Sequence, residues 1–162
     1  TSCPDIFACG DCIETVDLLT GRPTLCMLWP CAKAQAEAAA RNCLGDKTVY
    51  PGALKLISEE VFGRPCIAAG LLEEELGGGE GLDIIEKETE NTCHRLLIQN
   101  GRIMGVQAVG SVEGIGTLIS FMKNKIPAPE ISRMFNSPML REKMPWMLAL
   151  NDYLPMGTGE GN

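Results

Sequence analysis

Residues 9–31 carry the side chains with the clearest chemical potential, which are the Asp11 carboxylate and four thiols at close spacing. Cys9 and Cys12 form a C-x2-C pair around Asp11, and Cys26 and Cys31 form a second, wider pair. Four such cysteines could hold zinc or an iron–sulfur cluster, and the first pair could act as a redox dithiol. Packed free thiols are the simpler interpretation. A disulfide scaffold is short and rich in loops, whereas this chain has long helical and strand patterns.

Regular elements must position these side chains, and two are predicted near them. Residues 5–9 are a short apolar run of the kind that forms a buried strand. The TGRP sequence at residues 20–23 is a turn signal. Trp29 and Pro30 open an alanine-rich stretch that ends at Gly45, which predicts a helix. The two cysteine pairs therefore lie near the end of a predicted strand and the start of a predicted helix.

Beyond Asp46 the chain alternates strand patterns with helical ones. Asn100-Gly101 stands between two apolar runs, and this arrangement is a strong hairpin signal. An amphipathic helix follows, with four apolar residues on one face: Ile115, Leu118, Ile119 and Met122. The remaining predictions are strands within 53–63, 65–72 and 82–88, a helical turn at 73–76, and short helices at 130–135 and 138–150.

Composition and charge exclude several classes of function. The chain has 162 residues, of which 45% are hydrophobic and 22% are charged, as in ordinary folded domains. A net charge of −7 without any basic run argues against a nucleic-acid partner. No apolar stretch reaches about 18 residues, so no membrane span is predicted. The amino terminus lacks a signal-peptide pattern and reads as an internal start, and with its free thiols the chain is predicted to be cytoplasmic.

The other titratable candidates have plainer interpretations. His94 is the only histidine and opens a predicted hairpin strand, so a structural or exposed role is favoured over acid–base catalysis. Cys26 and Cys43 lie in or beside apolar runs, which predicts buried thiols. No catalytic residue and no metal ligand is therefore assigned within this chain.

The opening segment, TSCPDIFACGDC, resembles the second FAD-binding signature of the pyridine nucleotide-disulfide oxidoreductases. The resemblance implies that Asp11 bonds the ribityl chain of the flavin and that Gly10 allows close backbone approach. It also implies that the helix opening at Trp29, Pro30, Cys31 and Ala32 directs its first N–H groups at the flavin pyrimidine. A thiol at this position, Cys31, could be reactive if it lies near the flavin.

The resemblance extends over roughly residues 1–125. In NADH oxidases, CoA-disulfide reductases and nitrite reductase flavin domains, a similar helix precedes a carboxy-terminal domain. Ala68 to Leu71 and Asn100 to Gly105 match its strand and hairpin patterns. The implied fold is α+β: an FAD-domain remnant of one strand plus a helix, followed by an antiparallel sheet with helices. The implied domains are residues 1–46, an interface domain at 47–126, and a helical tail at 127–162.

The family's glycine-rich fingerprints for FAD and for NAD(P)H are not found, since Gly77-Gly78-Gly79 follows no strand. The resemblance therefore implies the carboxy-terminal segment of a FAD-dependent NAD(P)H oxidoreductase, inactive alone, which contributes one wall of the flavin site and a subunit interface. FAD and NAD(P)H would belong to the complete enzyme. The expected partners are the missing amino-terminal domains or a second copy. A non-catalytic dimerisation or docking module and a cysteine-rich metal-binding domain are the alternatives.

Overall fold

The computed structural model describes residues 1–77 and 81–135, which form two compact units divided between Ile57 and Ser58. The three-segment division drawn from the sequence stays a prediction. Its helical tail falls largely outside the described residues, and so does the helix predicted at 138–150. No helix within the described ranges is both long and apolar enough to cross a membrane.

The first unit contains a two-stranded hairpin and one long helix. Strands β1 (Thr15–Val16) and β2 (Pro23–Thr24) pair antiparallel, and the predicted TGRP turn lies between them. Asp17 is buried at this turn, where its Oδ1 accepts hydrogen bonds from the N–H groups of Leu19 (3.0 Å) and Thr20 (2.8 Å). The aspartate thus accepts hydrogen bonds from backbone N–H groups that the tight turn would otherwise leave to water.

Helix α1 (Trp29–Cys43) confirms the predicted alanine-rich helix. Pro30 occupies the first turn, where its missing N–H costs nothing and its fixed φ suits the helix. Gly45 follows the last turn with a φ of +92°, a value that glycine adopts without the Cβ penalty. Both ends of the helix were therefore encoded by local backbone chemistry.

The strand predicted at residues 5–9 is not formed, and this expectation was wrong. Residues 6–9 belong to no strand or helix, and the Ile6 N–H donates locally to the carbonyl of Cys3 at 3.2 Å. Ile6 and Phe7 are exposed. The composition favours a strand, but no strand of the described residues pairs with this segment, and an unpaired strand does not satisfy its backbone groups.

The second unit is built on a five-stranded sheet with the order β3-β4-β7-β6-β5. Neighbours β4 and β7, β7 and β6, and β6 and β5 pair antiparallel. The strands are β3 (Leu56–Val61, beginning at the unit boundary), β4 (Arg64–Gly70), β5 (Leu82–Glu88), β6 (Cys93–Gln99) and β7 (Arg102–Val109). The predicted α+β class with an antiparallel sheet is thereby confirmed.

Two glycines let β4 and β7 approach closely at the centre of the sheet. Gly70 pairs with Gly105 across the two strands. A Cβ on Gly105 would lie 2.2 Å from the carbonyl oxygen of Leu71, and one on Gly70 would lie 2.3 Å from that of Met104. Real Cβ atoms do not come so close to a backbone oxygen, so only glycine fits either position without a shift of the strands.

The hairpin and the amphipathic helix form as predicted. Asn100 and Gly101 make the two-residue turn from β6 to β7, both with positive φ, 52° and 69°. Helix α3 (Ile115–Lys123) packs against β7 and buries the predicted face of Ile115, Leu118, Ile119 and Met122. The second unit also contains two short helices, α2 (Glu73–Leu76) and α4 (Ala128–Phe135), and α4 begins slightly before its predicted start.

Candidate cofactor-contacting site

The residues assigned to the flavin by resemblance all fall in the first unit. Gly10 and Asp11 form a turn before β1, and Trp29, Pro30, Cys31 and Ala32 form the first turn of α1. The turn and the helix start are far apart in the sequence, so their relative placement depends on the side chains that connect the turn to the helix.

Gly10 shapes the turn and leaves space beside it. Its φ is +85°, and a Cβ at this position would meet no atom within 4 Å. The carbonyl of Gly10 accepts a hydrogen bond from the Ile13 N–H at 3.2 Å, which closes the turn. A ligand can therefore approach the backbone here without displacing a side chain.

Asp11 is exposed at the apex of this turn. Its carboxylate makes no hydrogen bond or ion pair with any residue that the structure describes. Within this chain the carboxylate is therefore open to a ligand. An unpaired carboxylate retains its full capacity to accept hydrogen bonds from donors of a ligand.

Gln35 connects the turn to helix α1, and the sequence reasoning missed it. Its side chain is only 4% exposed, and its Oε1 accepts a hydrogen bond from the Gly10 N–H at 2.8 Å. Gln35 stands one helical turn after Cys31, on the same face of α1. The sequence offered no local signal for this role, because the alanine-rich run does not mark which side of the helix is buried.

The amino end of α1 is uncapped by any side chain. Leu28 precedes the helix with extended backbone, and its carbonyl accepts from the N–H groups of Cys31 and Ala32, each at 3.0 Å. Pro30 has no N–H, so the Trp29 N–H is the donor left without a partner in the described part of the chain. The helix start therefore offers fewer open donors than the resemblance implies, although its partial positive charge remains.

Trp29 projects from this end of the helix. The side chain is 72% exposed, and the ammonium of Lys33 lies 5.2 Å from the centre of its ring. A cation over an aromatic face at this distance is favourable by about 0.5–1 kcal/mol at an exposed position. Leu25 and Met27, which precede Trp29 in the chain, are exposed as well.

Polar and thiol groups fill the interior behind the helix start. Cys26 and Cys31 are buried with Ala53, and the Cys31 thiol donates to the carbonyl of Leu54 at 3.4 Å. Burial raises the pKa of Tyr50, the neighbouring Cys31 adds to the rise, and a hydrogen bond with the Gln35 side chain opposes it. Gln35 thus serves the turn at Gly10 on one side and Tyr50 on the other.

An open cavity of about 140 Å³ lies between the amino-terminal segment and α1. Phe7 and Ala8 form one wall, and Ala38 and Asn42 of α1 form the other. The cavity is thus bounded by the segment that was predicted to be a strand and by the small-residue face of the helix.

The four cysteines near the start do not gather into a ligand set. Among the described residues, no group of three or more histidine, cysteine, aspartate or glutamate side chains is arranged to hold a metal ion. All eight cysteines are free thiols. Cys43 is exposed, so the burial predicted for it was wrong, because it lies in the last turn of α1 and off its packed face.

His94 lies in β6 of the second unit, whereas the residues assigned to the flavin all belong to the first. It is buried, and its Nε2 is 2.9 Å from the carbonyl oxygen of Ser111. Burial lowers its pKa, and the bond to Ser111 partly opposes the shift. The favoured structural interpretation of this histidine fits these contacts.

Comparisons with known proteins find that the chain is similar to part of several oxidoreductases. No family model matches the chain. It is 28% identical to an NADH oxidase of Methanocaldococcus jannaschii over 95% of the chain and 38% of that protein. A FAD-dependent pyridine nucleotide-disulphide oxidoreductase from Desulfovibrio vulgaris superposes with a TM-score of 0.75 at 24% identity, over 94% of this chain and 40% of that one.

A third relative shares the fold at lower identity. The water-forming NADH oxidase from Lactobacillus brevis, solved with NADH bound, gives a TM-score of 0.65 at 20% identity, over 80% of this chain and 32% of that one. The chain thus spans about two fifths or less of the length of these relatives. In sequence and fold it is similar to the carboxy-terminal part of the FAD-dependent pyridine nucleotide-disulfide oxidoreductases.

Proposed function

We propose that the chain is the carboxy-terminal segment of a FAD-dependent NAD(P)H oxidoreductase, in which the first unit forms one wall of the flavin site. The observation that carries the proposal is the turn at Gly10 and Asp11, held by Gln35 to the helix that opens at Trp29. In the complete cytoplasmic enzyme, FAD would supply the ring that accepts hydride from NAD(P)H.

The turn fits a sugar-like polyol. The free Asp11 carboxylate accepts hydrogen bonds from two hydroxyl groups, and charge-assisted bonds of this kind are about twice as strong as neutral ones. Because no atom lies within 4 Å of the position that a Cβ on Gly10 would take, a ligand can reach the backbone there. Gln35 fixes the turn to α1, because its amide oxygen accepts a hydrogen bond from the Gly10 N–H.

The start of α1 contributes electrostatics. The aligned peptide dipoles give the helix amino end a partial positive charge, which favours negative charge on an adjacent ring edge. The backbone N–H of Trp29 is free to donate, and its indole is exposed. Pro30 fixes the backbone of this turn, so the donor is positioned before a ligand binds.

The second unit provides a subunit interface in this proposal, which makes a homo-oligomer the expected assembly. Phe62 at the tip of the β3–β4 hairpin is fully exposed, and Val61 at the end of the edge strand β3 is half exposed. Exposed apolar side chains on an unpaired sheet edge favour contact with another chain. The same observation supports the alternative of a non-catalytic docking module, in which Asp11 would have no role.

The Asp11→Asn variant of the complete protein tests the flavin-wall proposal. Apoprotein is titrated with FAD, and binding is followed by quenching of flavin fluorescence. Loss of the charge-assisted hydrogen bonds should cost about 1.5–3 kcal/mol, which weakens FAD binding roughly 10- to 150-fold.

Asp5→Asn is the matched control, because Asp5 is an exposed aspartate of the same segment with no assigned role. It should leave FAD affinity unchanged. Equal FAD affinity of the Asp11→Asn variant and the unaltered protein would refute the flavin-wall role and favour the docking module.

A further inference from the structure

Cys26 and Cys31 differ from the other six cysteines because only these two are buried. They are 5% and 3% exposed and share one small core cluster with Ala53, against which Leu28 packs. Residues 27–30 connect them, so the pair spans the entry into helix α1. Neither thiol has a part in the proposed flavin wall.

The two thiols lie in the same small buried cluster, which places them near each other. Burial raises the pKa of Cys26 to about 12, and a hydrogen bond with the Cys31 side chain is the next cause of the rise. The thiol of Cys31 is oriented by its bond to the carbonyl of Leu54 at 3.4 Å. Two side chains packed in one buried cluster and joined by only four residues, 27–30, need a short movement to bring their sulfur atoms together.

We propose that Cys26 and Cys31 are an oxidisable dithiol that hydrogen peroxide converts into an intramolecular disulfide at the start of α1. The Cys31 sulfur attacks the O–O bond, becomes a sulfenic acid, and releases water. The Cys26 sulfur then displaces the hydroxyl group as a second water, and the S–S bond forms. Two thiol hydrogens and two electrons pass to the peroxide, which is reduced to water.

The order of the steps follows from the surroundings of the two thiols. The raised pKa of Cys26 keeps it protonated at neutral pH, so it serves as the resolving thiol. Cys31 lies in the first turn of a helix, whose amino end favours negative charge. Burial of both sulfurs favours a small oxidant over a bulky disulfide.

The disulfide would change the local structure. It removes the hydrogen with which Cys31 bonds the Leu54 carbonyl, and it ties the first helical turn to residue 26. The short loop between the two cysteines, residues 27–30, would then be closed covalently. The oxidation state of the pair therefore sets the conformation of the helix start.

Peptide mass spectrometry of the complete protein tests the proposal. The protein is treated with hydrogen peroxide, free thiols are alkylated, and the sample is cleaved after glutamate. The peptide bounded by Glu14 and Glu37 holds Cys26 and Cys31 and no other cysteine. It should escape alkylation, lose about two mass units, and regain both on treatment with dithiothreitol.

Two variants check the assignment. Cys26→Ser should stop disulfide formation and leave Cys31 as a sulfenic acid that dimedone traps, whereas Cys43→Ser should change nothing in this peptide. Oxidation of the exposed Met27 adds mass instead of removing it and is distinguished by fragmentation. Recovery of the peptide with both thiols alkylated after peroxide treatment would overturn the proposal, whether or not FAD binds at Asp11.

Discussion

Replacing Gln35 by alanine should release the turn at Gly10 from helix α1. Gln35 is almost completely buried and supplies the only acceptor that the described residues offer to the Gly10 N–H, at 2.8 Å. Alanine suits the helix as well as glutamine does, so the helix itself should persist. The variant therefore separates the link between turn and helix from the stability of the helix.

The size of the effect follows from the lost bond. A partly buried N–H left without its acceptor costs about 1–3 kcal/mol, which corresponds to a roughly 5- to 150-fold faster exchange of that amide if exchange follows local opening. Hydrogen–deuterium exchange resolved at the Gly10 amide measures this directly. FAD affinity of the complete protein should fall as well, because the Asp11 carboxylate is then no longer held in place.

Glu37→Ala is the matched control on the same helix. Glu37 is exposed and pairs with Arg41 at 3.1 Å, one turn later. An exposed pair at this spacing contributes about 0.3–0.5 kcal/mol, so the control should leave exchange at Gly10 unchanged. If Gln35→Ala exchanges no faster at Gly10 than Glu37→Ala does, the reasoning that Gln35 holds the turn is refuted.

Three further predictions concern the second unit. Gly105→Ala should destabilise the chain by about 1–3 kcal/mol in urea unfolding, because the new Cβ would clash with the Leu71 carbonyl. Gly116→Ala should instead stabilise it by about 0.5–1 kcal/mol, because Gly116 lies in α3 with open space around it. Phe62→Asn suits the positive φ of 50° at that position, so native mass spectrometry should show weaker self-association without loss of fold. Burial lowers the pKa of His94 below its usual 6.5, so the unfolded chain binds more protons than the folded one. The free energy of unfolding should therefore fall as the pH drops from about 7.5 to 5.5. His94→Gln should abolish that part of the pH dependence.

The elements that the sequence predicted well are those fixed by local chemistry. Asn100 and Gly101 define a two-residue turn because both accept positive φ, and the strands on either side follow from that turn. Pro30 and Gly45 bracket α1 for equally local reasons. The apolar face of α3 was readable from its spacing, because a helix that covers a sheet repeats its apolar residues every three to four positions.

The contacts that the sequence did not predict are those between distant segments. The bond from Gly10 to Gln35 and the bond from Cys31 to the Leu54 carbonyl join positions more than twenty residues apart. Nothing in the local pattern distinguishes Gln35 from an exposed helical glutamine. The burial of Cys31 and the exposure of Cys43 likewise depend on which side of α1 faces the interior, and the alanine-rich sequence does not mark that side.

The failed strand at residues 5–9 bears on what covers the first unit. The segment has the residue types of a buried strand, yet Ile6 and Phe7 are exposed and no described strand pairs with it. A strand forms only when a neighbour takes up its N–H and C=O groups, so composition alone cannot complete it. If the proposed function holds, the partner is a strand of the flavin-binding domain, and its docking would order residues 5–9 and cover the cavity beside Phe7. Without that partner the apolar segment should instead pair with another chain, so the isolated chain should self-associate through this segment as well as through the second unit.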